Sequence, residues 1–252
     1  MSRVLAVYNI KGGVGKTSTA VNLAYLAATG GARTLLWDLD PQAASTFLFR
    51  VKPKVRGGPR KLLRRRSDVA GSIKGTDFKL LDLLPADFRY RHMDLALDRF
   101  KRPRTRLAKV LEPLRSEYSY IFLDCPPSIS LVSESVFEAA DALLVPMIPA
   151  TLSSRTLDQL EPLVDRRGPQ ILAFLSMLDL NRPLHRELLH RLRATHPSTM
   201  LGAAIPVADE VERMGEERAV VASFAPTSPA ARAYEALWLD VRFRLSNSLP
   251  RI

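Results

Sequence analysis

The chain has 252 residues, 46% hydrophobic and 25% charged, so it carries enough apolar material for a full core and is excluded as a disordered whole. Its single cysteine, Cys125, excludes an internal disulfide framework and a four-cysteine metal site, and points to a cytoplasmic setting. The net charge is +11, and all of the excess lies in residues 50–109, where 19 Lys and Arg stand against 6 Asp and Glu; such a surplus points to a polyanionic partner, nucleic acid or an acidic membrane surface.

Short apolar runs alternate with longer amphipathic stretches, the pattern of βαβ units and a mainly parallel sheet. In chain order the predicted strands are residues 4–9, 34–37, 79–84, 120–123, 142–147, 171–177 and 200–205. The first runs straight into a glycine-rich loop with no secretion signal before it, and no apolar run approaches the roughly 20 residues of a membrane span. Behind that loop Ala20, Leu23, Ala24 and Ala27 recur at helical spacing, and Gly30-Gly31 supplies the stop. Over residues 50–77 the pattern lapses into Lys52-Pro53-Lys54, Gly57-Gly58-Pro59 and Lys61-Leu62-Leu63-Arg64-Arg65-Arg66, which predicts an exposed basic loop with one short helix. A helix after Pro183 sets Arg182, Arg186, Arg191 and Arg193 against Leu184, Leu188 and Leu192 on its other face. Ser228-Pro229 opens a last helix with Ala230, Tyr234, Leu237, Trp238, Val241 and Leu245 at core spacing. Residues 1–252 are thus expected to form one doubly wound α/β domain, a mainly parallel sheet flanked by helices, with a basic excursion at about 50–77.

The strongest chemical signal is Lys11-Gly12-Gly13-Val14-Gly15-Lys16-Thr17-Ser18, between a predicted strand and a predicted helix. A phosphate cradle needs glycines that turn successive N–H groups inward, a lysine for the β and γ phosphates and a hydroxyl for Mg²⁺; Gly15, Lys16 and Thr17 meet those needs. The glycine that usually stands five residues before Gly15 is replaced by Ile10, and a second lysine, Lys11, stands next to it. In Trp37-Asp38-Leu39-Asp40-Pro41-Gln42 an apolar strand ends in two carboxylates, which an open parallel sheet brings close to the phosphates. A third strand ends in Asp124-Cys125-Pro126-Pro127-Ser128, where Cys125 reads as a small buried residue and the prolines stiffen the turn.

These segments resemble the ParA/MinD family of P-loop ATPases, whose deviant Walker A loop carries the early lysine. The resemblance implies ATP and Mg²⁺ as cofactors and an ATP-dependent homodimer, in which Lys11 reaches the nucleotide of the partner subunit while Lys16 contacts its own. It also implies that Asp40 orients the attacking water, that Asp38 supports the Mg²⁺ shell with Thr17, and that Asp124 holds the metal through water. Residues 79–86, 174–179 and 202–206 are similar to later family segments and bring Met177 and Pro206 to the base. Val207-Ala208 stands where relatives often have Arg-Asn, so the adenine contacts of those two positions do not transfer, and Ala43-Ala44 likewise replaces Gly-Asn.

The resemblance implies an ATP hydrolase of slow intrinsic turnover that serves DNA partition or cargo positioning. Lys52, Lys54, Arg56, Arg60, Lys61, Arg64, Arg65 and Arg66 are the candidate DNA contacts, with a second cluster at Arg99, Lys101, Arg102, Arg104 and Arg106. The expected partners are a second copy, nonspecific DNA and a ParB-like or cargo-adaptor activator, in a nucleoid-associated cytoplasmic protein. The alternatives are a MinD-like membrane-cycling ATPase, disfavoured by the core spacing of the last helix, and a metabolic ligase on the same fold. A related iron-sulfur reductase would need at least two cysteines per chain.

Overall fold

The computed structural model describes residues 2–64, 69–151, 154–164 and 168–247. Among the described residues seven strands make one sheet: β1 (Arg3–Val7), β2 (Thr34–Asp38), β3 (Lys74–Gly75), β4 (Leu81–Leu84), β5 (Tyr120–Asp124), β6 (Ala142–Met147) and β7 (Gln170–Leu175). Their order across the sheet is β3-β4-β2-β5-β1-β6-β7, and every pairing is parallel except the two-residue edge pair of β3 with β4. That edge strand, Lys-Gly, is too short to propagate the sheet.

Both faces are covered, and alternation within the strands decides which side chain goes where. Val4, Ala6 and Tyr8 of the first strand and its exit share one apolar layer with Leu111, Val136 and Leu157. Leu5 and Val7 share the opposite layer with two helices, α1 (Lys16–Thr29) and α5 (Pro229–Ser246). The remaining longer helices are α2 (Leu131–Ala139), α3 (Pro183–Thr195) and α4 (Asp209–Glu217). The predicted stripe of α5 is buried as expected, with Trp238 edge-on to Tyr120 at a centroid distance of 5.0 Å. The stop of α1 also stands: Gly31 adopts φ +88° and the Gly30 amide donates to Leu26 O at 3.1 Å.

Three expectations are corrected. Residues 200–205 form no strand; the segment meets the end of the sheet through isolated bridges, Ala173 to Met200 and Leu178 to Pro206, and through the Ile205 amide, which donates to Leu175 O at 2.9 Å. Its apolar character serves packing, since Leu201 and Ile205 lie in the same layer as α5. The segment 50–77 does contain a short helix (Gly58–Leu62), yet it is no loose loop, because Val55, Leu62, Leu63 and Val69 are buried in the core. On α3, Leu184 is exposed while Leu188 and Leu192 are buried; His185 fills the third inward position and accepts the Asp179 amide at 3.1 Å.

Pro146, inside β6, marks how the sheet releases the glycine loop. β1 pairs with β6 only along residues 142–144, so the N–H that proline lacks is not needed there. In place of the ladder, Asn9 Nδ2 donates to Pro146 O at 2.7 Å and Asn9 Oδ1 accepts the Lys11 amide at 2.9 Å. The root of the loop is thereby fixed by one buried amide.

Candidate nucleotide site and basic surface

β1 is flanked by β5 and β6, the point where the chain turns from one half of the sheet to the other; in open α/β sheets ligands lie beyond the carboxyl ends of the strands at such a point. The loop 11–18 leaves β1 there and enters α1 through Gly15, in the left-handed conformation at φ +89°. A Cβ at Gly15 would stand 2.9 Å from Ser176 Oγ, so only glycine lets the loop pass this close to the end of β7. Gly12 and Gly13 are exposed, Val14 is buried as an anchor, and Thr17 and Ser18 are half-buried at the start of α1.

Lys16 is buried at 7% exposure, and its Nζ donates to Lys11 O at 2.8 Å across the loop. Burial pulls its pKa down, and the charge of Asp124 opposes that shift. The Lys11 backbone is tied at both ends, its amide by Asn9 and its carbonyl by Lys16. Its half-buried side chain therefore leaves from a rigid root.

The parallel register sets Asp38 beside Asp124. Both carboxylates are buried, and burial pushes both above the usual range; for Asp38 the charge of Asp124 adds to the rise. Asp38 is fully committed: Oδ1 accepts the Asp40 amide at 3.2 Å, and Oδ2 accepts Thr46 N at 2.8 Å and Thr46 Oγ1 at 2.7 Å. Asp124 is committed on one side only. Its Oδ2 accepts Ser45 Oγ at 2.7 Å, and the Thr17 hydroxyl also restrains the carboxyl, whereas Oδ1 is buried with no hydrogen-bond partner among the described residues. A buried carboxylate oxygen without a donor, next to a loop hydroxyl, fits a divalent cation.

Asp40 is half-exposed in the turn that follows β2; its Oδ1 accepts the Gln42 amide at 2.9 Å. The turn closes on Ala43, a non-glycine residue held at φ +60°, whose amide donates to Asp40 O at 2.9 Å. Left-handed backbone costs an L-residue roughly 1–2 kcal/mol, and glycine gives back part of that gain through its freer unfolded chain. Ala43→Gly is therefore expected to stabilise the fold by about 0.5 kcal/mol. The check is a raised midpoint in urea unfolding at an unchanged slope; a lowered midpoint contradicts the strain.

Beyond Ala43 lies a short helix (Ala44–Leu48), which a reciprocal clasp joins to the end of α4. Arg218 stacks on the Phe47 ring at 4.4 Å and donates to Phe47 O at 3.0 and 3.2 Å, while Arg50 donates to Glu217 O at 3.2 Å. Both arginines adopt positive φ, +46° and +58°.

Lys11, Lys16, Thr17, Asp38, Asp40 and Asp124 thus converge at the carboxyl edge. Met177, half exposed at φ +58°, follows Ser176 at the same edge, and Pro206 is joined to it through the Leu178 bridge. Ser45, Thr46, Asn9 and Ser176 hold the site without having been predicted; two hydroxyls in the otherwise apolar Ala44-Ser45-Thr46-Phe47-Leu48 were the only sequence signal for the first pair. Cys125 is buried beside Asp124, and burial raises its thiol well above the usual range.

The basic candidates sit on neighbouring segments that are tied to this edge, where the Ala86 amide donates to Thr46 Oγ1 at 2.8 Å and Asp87 accepts the Val55 amide at 2.9 Å. Lys52, Lys54, Arg56, Arg60, Lys61 and Arg64 are exposed on the 50–64 segment, whereas Arg65 and Arg66 lie outside the described residues. In the second cluster Arg99, Lys101 and Arg102 are exposed, but Arg104 pairs with Glu134 at 2.8 Å and Arg106 is spent inside the protein, donating to Leu63 O and Arg64 O and stacking on Phe100.

The sequence profile of a family described as an AAA domain matches residues 2–171. The chromosome partitioning protein ParA of Caulobacter vibrioides is 34% identical over 214 residues, covering 81% of this chain and 80% of that protein. Cobyrinic acid a,c-diamide synthase from Mycobacterium smegmatis, solved with ADP and magnesium, aligns at a TM-score of 0.80 and 25% identity over 100% of this chain and 99% of that one. The McdA–ATP complex from Cyanothece aligns at 0.81 over 98% of each chain with 18% identity, a likeness of fold alone.

Proposed function

This chain belongs to the ParA family of P-loop ATPases, and from that premise we propose that it is a partition-type ATPase that pairs with a second copy around ATP, binds DNA without reading its sequence, and lets go on hydrolysis. The observation that carries the reading is Lys11, a second lysine at the fixed root of a loop whose own Lys16 already lies inside it. Lys16 and the loop amides bind the phosphates of the chain's own ATP, and Met177 and Pro206 border the base. Thr17 and Asp124 hold Mg²⁺, whose charge would offset that of the phosphates; Asp38 supports that shell indirectly, by fixing the Asp40 turn and Thr46. Asp40 orients water at the γ phosphate, and Lys11 reaches the nucleotide of the partner subunit, so loss of that phosphate removes a contact specific to the closed pair.

Lys11→Ala is expected to leave ATP binding by the single chain within about twofold while abolishing the ATP-dependent dimer. Light scattering with and without ATP reads the second effect, and a normal dimer in the variant would refute the trans contact. DNA is favoured over a metabolic substrate because the exposed lysines and arginines of 50–64 and 99–102 would otherwise serve nothing. ATP turnover stimulated by DNA supports this reading, and stimulation by small carboxylates instead supports the ligase. The activator is then a ParB-like or cargo-adaptor protein, and the ATP-bound pair is nucleoid-associated.

One observation favours a membrane-cycling ATPase: Leu239 and Phe243 on the outer face of α5 are 63% and 64% exposed. No described helix is long and apolar enough to cross a membrane. ATP-dependent flotation with anionic liposomes would establish that reading in place of DNA.

A further inference from the structure

A cleft of about 310 Å³ lies on the basic side of the molecule, between Gly57, Gly58 and Arg60 on one wall and Arg89, His92 and Arg99 on the other. These walls come from segments about 30 residues apart in sequence, and among the described residues no carboxylate lines the cleft. We propose that this cleft seats a backbone phosphate of duplex DNA, a deeper statement of the DNA reading above and dependent on it.

The cleft is built rather than incidental. Arg89 donates through Nε and Nη2 to Asp87 at 2.8 and 2.7 Å and through Nη2 to Val55 O at 2.7 Å, so its guanidinium is held flat as a wall. Asp87 is 4% exposed and sits behind that wall, where it also accepts the Val55 amide at 2.9 Å. Gly57 and Gly58 are consecutive left-handed residues at φ +78° and +66°. A Cβ at Gly58 would stand 2.9 Å from the Arg89 guanidinium carbon, so the floor reaches the wall only because that position is glycine. Arg60 and Arg99 are exposed and have no ion-pair partner among the described residues. Two exposed guanidinium groups, Arg60 and Arg99, beside a third that Asp87 holds in place suit a tetrahedral oxyanion.

The surroundings select a polymer over a free ion. Lys52, Lys54 and Arg56, just before one wall in the chain, and Lys101 and Arg102, just after the other, are all exposed. Arg91 lies flat on the Phe88 ring at 4.0 Å at the same side. The competing surface is less available: on α3 Arg186 donates to Leu180 O, Arg193 to Gly202 O, and Arg191 faces Glu187. The first turn of α4 is acidic, with Asp209, Glu210 and Glu212. At the cleft Arg89 is balanced by Asp87, and Arg60 and Arg99 are the exposed guanidinium groups left without an ion-pair partner among the described residues.

The test uses the full chain with ATP and fluorescence anisotropy on two duplexes of unrelated sequence. R60A/R99A is expected to weaken binding to both about tenfold or more and to lower the slope of log K against log salt by about two. Fluorescent-ATP affinity and the melting temperature should stay unchanged, since neither arginine packs in the core. R186A/R193A should leave the slope within one unit of wild type. If wild type binds and R60A/R99A binds equally with the same slope, the cleft is not the seat, although the DNA reading stands. If R60A/R99A loses only a polyglutamate probe and keeps DNA, the cleft serves an acidic protein segment and the proposal falls. Wild type that fails to bind either duplex at low salt overturns the proposal together with the reading on which it rests.

Discussion

Lys16→Ala is expected to lower the affinity for ATP by two to three orders of magnitude, measured by titration with a fluorescent ATP analogue. The side chain is buried, and its ammonium already crosses the loop to Lys11 O at 2.8 Å, one short movement from any phosphate lying over the glycines. A charge-assisted contact to two phosphates in a partly dry loop is worth about 3–4 kcal/mol, and each 1.4 kcal/mol is a factor of about ten in affinity. Alanine also leaves the Lys11 carbonyl without its internal donor, which loosens the loop in the empty protein. An affinity within tenfold of wild type would show that the loop does not carry the phosphates.

Asp40→Asn is expected to reduce ATP turnover at least about a hundredfold while ATP binding persists, so the paired, ATP-loaded state accumulates. Asparagine is the informative replacement because its amide oxygen can keep the bond to the Gln42 amide that closes the turn. What it removes is the charge on Oδ2, which has no hydrogen-bond partner among the described residues and is left for water. The measurement is steady-state phosphate release, set beside dimer fraction under ATP. Unchanged release would mean that the water is oriented elsewhere, and loss of ATP binding would mean that the turn, rather than its charge, is what matters.

The placement of the candidate residues was legible because they lie at the ends of strongly patterned elements. Loop 11–18 follows a buried strand and opens a helix, and Asp38 and Asp124 end apolar strands, so pattern alone brought them to one edge. The parts that were not legible belong to tertiary pairing. Nothing in Ala44-Ser45-Thr46 indicates that two hydroxyls will be buried against two different carboxylates, because those acids become neighbours only through the β2–β5 register. Residues 200–205 alternate like a strand, yet they lie against β7 at isolated bridges, and their side chains are claimed by the layer under α5. Charge counting likewise could not separate Arg106, which is consumed by carbonyls of the neighbouring segment, from Arg99, which is not.

The Arg50 and Arg218 clasp ties together two stretches of chain that lie far apart in sequence. Arg50 grips the carbonyl just before Arg218, and Arg218 grips the carbonyl three residues before Arg50, each from backbone geometry that an L-residue rarely adopts. The turn carrying Asp40 and the end of α4 are thereby spliced together on the outside of the molecule, through Phe47 and the two arginines.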